Sequence, residues 1–255
     1  MQTLKQAAET IVATMKWSAG IQLHLVPVDS DELGHLDVDW YDRFRSDMAV
    51  RGWAFVADLE YLQGPMSSLA RTMIRSMRSE DGIIVAGCYQ LKHLVGRQVS
   101  LLMAGLFNLR LIAAPKHFVH AMRLIKVIDL QTEFDDGRHL LTSSGEFAGT
   151  LASPPSVERK IFPKGTPVAT LIAYHSARVK EILAADRTVQ PVVMTSLGDL
   201  LRSEQRQMYL RSAYRESLAW ITRDELLNLS QGNKHLSDAV FAEVQKIVIK
   251  HSPEP

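Results

Sequence analysis

At 255 residues, with 46% hydrophobic and 22% charged residues, the chain is long enough to bury a sizeable core and too apolar for wholesale disorder. A formal net charge of +1 excludes strong overall steering toward nucleic acid, and a single cysteine, Cys88, excludes an internal disulfide. Lys5 and Glu9 break the N-terminal segment, which lacks the long apolar run of a secretory signal, so the expected location is cytoplasmic.

In chain order, residues 3–17 predict a helix, with Leu4, Ala7, Ala8, Ile11 and Met15 at helical spacing and Gly20 as its stop. Residues 21–28 alternate as a strand ending near Pro27. Residues 37–51 predict a second helix with Val38, Tyr41, Arg45 and Met48 on one flank, and Gly52 fits the position just past its C-cap. A strand follows over 53–59. Two Asp-Gly pairs, Asp81-Gly82 and Asp136-Gly137, sit between apolar runs and predict hairpins with type I′ turns. Around the first pair, Leu69, Met73 and Met77 also suit a helix with Arg71, Arg75 and Arg78 opposite; the Asp-Gly signal favours strand–turn–strand. Residues 99–115 tempt a membrane reading, but Asn108 and Arg110 interrupt them and they fall short of roughly 20 apolar residues. A buried core segment is the expectation there.

Beyond Ser153-Pro154-Pro155 the pattern turns helical. Thr166 predicts an N-cap with Pro167 at the first helical position, and Val168, Leu171, Ile172, His175, Val179 and Ile182 form one stripe. A helix from Ser196 toward Trp220, a capping box at Thr222–Glu225 and a last helix over 237–250 complete the chain. The predicted fold is α+β: an N-terminal helix, a largely antiparallel sheet with hairpins at the two Asp-Gly pairs, and a helical C-terminal part. Residues 1–153 form the expected sheet-bearing lobe and 154–255 a helical lobe packed with it as one unit.

Charge is unevenly spread. Residues 21–60 carry nine acids against three arginines, and 61–128 carry nine bases against two acids. Internal complementarity, with the acidic segment lying near the basic one, is favoured over a two-faced surface.

The run Leu130-Gln131-Thr132-Glu133-Phe134-Asp135-Asp136-Gly137, then Leu141-Thr142-Ser143-Ser144, Pro154-Pro155 and a helix bearing His175, carries a resemblance. Over roughly residues 70–185 the chain resembles a group of uncharacterised bacterial proteins sharing a "TEFxDG…TS" hairpin, a Pro-Pro turn and a helix with one His. The resemblance implies a bacterial cytosolic protein and brings with it no established activity, cofactor or catalytic residue.

Candidate chemistry is sparse. Asp135, Asp136 and His139 gather around one turn, where Asp is also an ordinary turn former. His175 lies on an apolar helical stripe, which favours a packed histidine, yet it is the first choice for an acid–base group because imidazole titrates near neutrality. His35, Asp37 and Asp39 alternate, but helix capping outweighs a cation site. His117 and His120 lack further ligands, and Cys88 in its apolar run reads as a small buried hydrophobe. Arg202, Arg206, Arg211 and Arg215 split between opposite faces of their helix and read as solvated. There is no phosphate loop, nucleophile elbow, His-Glu-x-x-His or Cys-x-x-Cys.

The expectation is a non-catalytic binding or regulatory protein, immunity- or adaptor-like, acting on a protein partner or assembling with itself, with no cofactor and no metal. Its candidate binding residues are Arg71, Arg75, Arg78, Lys92, Arg97, Arg123 and Lys126. The alternatives are a hydrolase using His175 with Asp135 or Asp136, and a surface at 92–126 that sits on anionic lipid.

Overall fold

The computed structural model describes residues 3–18, 25–61, 71–91, 125–145, 151–230 and 232–250. Gly20, residues 21–24 of the first predicted strand, Leu69, the apolar stretch 99–115, His117, His120 and the candidates Lys92, Arg97 and Arg123 lie outside them.

Seven strands pair in chain order: β1 (Leu25–Pro27), β2 (Ala54–Tyr61), β3 (Thr72–Arg78), β4 (Val85–Leu91), β5 (Ile125–Glu133), β6 (His139–Ser144) and β7 (Val157–Phe162). Every step is antiparallel except the last, where β7 runs parallel to β6. Side chains alternate between two faces, and both faces are covered by helix. On one face lie α2 (Val38–Ala49) and α3 (Val168–Ala185), burying Tyr41, Met48, Met73, Met77, Leu130 and Leu171. On the other, Leu59 and Val85 pack with Met194 and with Leu200 of α4 (Leu197–Ser217). Helices α1 (Leu4–Ser18), α5 (Arg223–Leu229) and α6 (Lys234–Lys250) close a separate cluster around Ala8, Val12, Ile221, Leu226, Val240 and Val244. The fold is therefore α+β, with a mostly antiparallel sheet, an N-terminal helix and C-terminal helices. Among the described residues no helix is long and apolar enough to cross a membrane.

Local signals account for most of these elements. Asp37 caps α2, Ser196 and Asp199 form a reciprocal capping box on α4, and Thr222 and Glu225 form another on α5. Both Asp-Gly hairpins are present, but neither turn is the expected type I′, because only the glycines have positive φ, +70° at Gly82 and +83° at Gly137. In the second, Phe134 N donates to Arg138 O and Gly137 N to Phe134 O, which makes a three-residue loop ending in a left-handed glycine. In the first, the loop spans the residues between Ser79 and Ile84. Gly82 is needed there for a second reason: a Cβ would lie 2.8 Å from Met194 O, and the close approach lets Met194 N donate to Gly82 O.

Three expectations are corrected. The chain does not turn helical at Pro154-Pro155, since β7 comes first. Its sequence, Val-Glu-Arg-Lys-Ile-Phe, reads as polar because it is an outer strand with Glu158 and Lys160 exposed. Thr166 does not cap α3: its hydroxyl donates back to Pro163 O at 2.7 Å, and Pro167 holds the cap position with no side-chain bond. The last helix begins at Lys234, ahead of the predicted 237.

Candidate functional site

Among the described residues, three bases of the basic segment pair with acids of the acidic one. Arg71 donates to both oxygens of Glu60 at 2.7 and 2.6 Å, with Glu32 at 3.4 Å; Arg75 bridges Asp58 and Asp42; Lys126 meets Asp37. Each pair joins the basic segment to the acidic one. Of the seven basic candidates, three are thus engaged internally, three lie outside the described residues, and Arg78 ends β3 half-buried.

The proposed acid–base residues are not brought together. His175 is 0% exposed, its Nε2 3.0 Å from Thr132 Oγ1 and its Nδ1 2.9 Å from Thr142 Oγ1. Thr132 directs its one proton to Ile83 O, so it accepts from Nε2–H while the Thr142 hydroxyl donates to Nδ1. Asp135 accepts from Gln190 N and Asp136 from Arg138, both as exposed turn residues. His139 is buried on the opposite face of the sheet from His175, beside Glu133; burial holds its pKa below the ordinary value against the pull of that carboxylate. His35 Nε2 bonds Arg71 O, leaving Asp37 to its capping role, and among the described residues no cluster of three or more potential ligands is arranged for a metal.

Burial pushes His175 down to about 4 from an ordinary 6.5. The unfolded chain then takes up a proton that the folded one refuses, so this contribution is complete above pH 6.5. It is lost as pH falls from 6.5 toward 4, amounting to roughly 3 kcal/mol. Urea midpoints measured from pH 7 to 4 are expected to fall less steeply in His175→Gln than in the wild type; equal slopes would assign the acid sensitivity elsewhere.

The feature that sequence reasoning missed lies under α4. Between this helix and the sheet is a cavity of about 310 Å³. The strands line it at period two, with Ser76 of β3, Gly87 and Tyr89 of β4, Asp129 and Gln131 of β5, and Arg159 of β7. Leu200, Glu204, Gln207, Met208 and Arg211 of α4 line it at helical spacing. Apolar walls come from Leu25, Leu59, Ile74, Val85, Leu141 and Val157.

Asp129 lines the cavity from β5. Its Oδ2 accepts from Tyr89 OH at 2.8 Å and its Oδ1 from Ser143 Oγ, and among the described residues the Arg211 charge acts on it from beyond ion-pair distance. Burial raises its pKa, the two hydroxyl donors opposing. A relay crosses the gap beside it: Gln131 Nε2 donates to Glu204 at 2.7 Å, Gln207 Nε2 to Gln131 at 3.1 Å, and Arg211 to Gln207 at 3.1 Å. The available signal was Asp129 and Gln131 sharing the inward register of β5 with Ile125 and Val127, polar groups where a purely structural strand would be apolar. Comparison with protein-family models, with curated proteins and with solved structures finds no match to this chain.

Proposed function

We propose that the protein is a non-catalytic binding protein whose ligand is a small molecule held between the sheet and α4. One observation carries this reading: polar groups from four strands and one helix converge on an otherwise apolar cavity, the usual composition of a ligand site. At about 310 Å³ the cavity is at the small end of such sites, which run from roughly 300 to 1,000 Å³. Binding is favoured over catalysis because His175 and Cys88 belong to the opposite face of the sheet, where the first is saturated by threonines and the second is packed in the core. A macromolecular partner draws less support, since Arg71, Arg75 and Lys126 already satisfy acids of their own chain. The buried, free state of Cys88 accords with a cytoplasmic setting.

Native mass spectrometry of the protein purified from its own host tests the proposal. The expected spectrum shows one small molecule retained by the wild type and released on denaturation. Leu141→Trp, which fills the cavity, is expected to run at bare mass with an unchanged circular dichroism spectrum. A wild type at bare mass accompanied by a co-purifying protein would transfer the function to a macromolecular partner.

A further inference from the structure

The charges lining the cavity are not balanced in kind. Its two carboxylates already have neutral donors: Asp129 has two hydroxyls and Glu204 has the Gln131 amide. Neither of its two guanidinium groups has a carboxylate within ion-pair distance among the described residues, although the more distant Asp129 charge acts on Arg159. Arg159 reaches only Leu151 O, at 3.0 Å, and Arg211 only the Gln207 side-chain oxygen. The contrast within α4 is direct, because Arg202, Arg206 and Arg215 are ion-paired to Asp199, Glu133 and Glu225. Arg159 is half-buried, and with no carboxylate in contact its desolvation outweighs the favourable but distant charge of Asp129.

The cavity is also polarised along its length. Leu25, Leu59 and Ile74, from β1 to β3, make one end apolar, and Leu200 packs over Leu59 and Val85 at that end. Arg159 stands on β7 at the other end of the strand order. Arg211 follows Leu200 by eleven residues, roughly 16 Å along the helix axis. Sheet and helix therefore both place their one lining arginine away from Leu25, beside the apolar Leu141 and Val157.

Resting on the small-ligand reading above, we infer that the ligand is an organic acid with an elongated apolar body, its carboxylate received by Arg159 and Arg211 and its body lying toward β1–β3. A planar guanidinium fork matches a carboxylate in a paired geometry, which an amine or alcohol cannot reproduce. The acid supplies a carboxylate in direct contact, which neither of the two arginines lining the cavity receives from this chain among the described residues.

Calorimetric titration of the full chain with octanoate, octanol and octylamine tests the inference. Octanoate is expected to bind at least tenfold more tightly than octanol, and octylamine more weakly than either. Arg211→Gln, at a cavity-lining position that is itself solvent-exposed, is expected to weaken octanoate about 10- to 100-fold and to leave octanol unchanged, as loss of a charge-assisted hydrogen bond requires. Arg159→Gln is expected to act in the same sense, with Arg211→Gln as the variant least able to disturb folding. Octanol binding as tightly as octanoate, or octanoate unaffected by Arg211→Gln, would overturn the anionic assignment and leave the small-ligand reading standing. No binding of any of the three, with the host-purified protein also at bare mass, would remove both.

Discussion

Arg75→Met is expected to lower the folding free energy by about 3–5 kcal/mol, the cost of leaving one member of a buried ion pair alone. Arg75 lies on β3 directly across from Asp58 of β2, and its Nε and Nη2 each donate to that carboxylate at 2.8 Å. The Arg75 side chain is 3% exposed and that of Asp58 13%. Methionine fills much of the same volume but leaves Asp58 buried without a counter-charge. Two controls separate charge from packing. Asp42, the third member, is 61% exposed, so Asp42→Asn is expected to cost less than about 1 kcal/mol. The double variant Arg75→Met with Asp58→Leu is expected to recover most of the loss, because no charge is then left behind. Guanidinium denaturation followed by tryptophan fluorescence reads all three. A single variant as costly as Asp42→Asn, or a double variant no better than Arg75→Met, would show that the pair contributes through shape alone. A reversal to glutamate at this position would bring three carboxylates together, so it would report on folding before it reported on any partner.

Glu225→Ala is expected to cost a similar amount, about 3–5 kcal/mol, concentrated in a different part of the molecule. Glu225 Oε1 accepts from Ala152 N at 2.6 Å and Arg215 Nη1 at 2.7 Å, and Oε2 accepts from Thr222 N at 2.8 Å. Arg215 also donates to Ala152 O. One carboxylate thus ties the end of α4, the start of α5 and the chain entering β7. Burial works against its charge, but the backbone donors of Thr222 and Ala152, helped by Arg215, hold its pKa below the usual carboxylate range. The same junction stores strain, because Ala219 and Trp220 have φ of 51° and 76° in the link from α4 to α5. Left-handed backbone costs roughly 1–2 kcal/mol per residue without glycine, and the packing of Trp220 and Ile221 against α1, α5 and α6 offsets it. Hydrogen exchange is expected to show α1, α5 and α6 losing protection in Glu225→Ala while β3–β5 remain protected. Uniform loss across the sheet would mean that the helical cluster and the sheet unfold as one unit.

What short stretches of sequence determined is what short-range physics controls. The caps at Asp37, Ser196 and Thr222 each satisfy backbone donors within three residues, and the Asp-Gly pairs place a left-handed glycine where a reversal needs it. Those signals, with helical and alternating periodicity, were enough to read β3 as a strand despite its helix-like methionine spacing, and to reach the α+β class. The pairing of Arg71, Arg75 and Lys126 with acids of the preceding segment was also legible, as a tendency of neighbouring charges to compensate.

Tertiary structure decided the rest. Asp37 finds Lys126 and Arg75 finds Asp42 only once register and helix placement bring distant parts of the chain together. The parallel pairing of β7 gives a polar segment a place in the sheet by supplying hydrogen bonds from β6, which its own side chains do not announce. His175 became a saturated core residue because β5 and β6 each present a threonine to it, at positions its own helix does not specify. The cavity draws on all seven strands and α4, each strand contributing one to three residues at its own periodicity. No local window contains it, because an enclosed space is a property of how elements pack and not of any one of them.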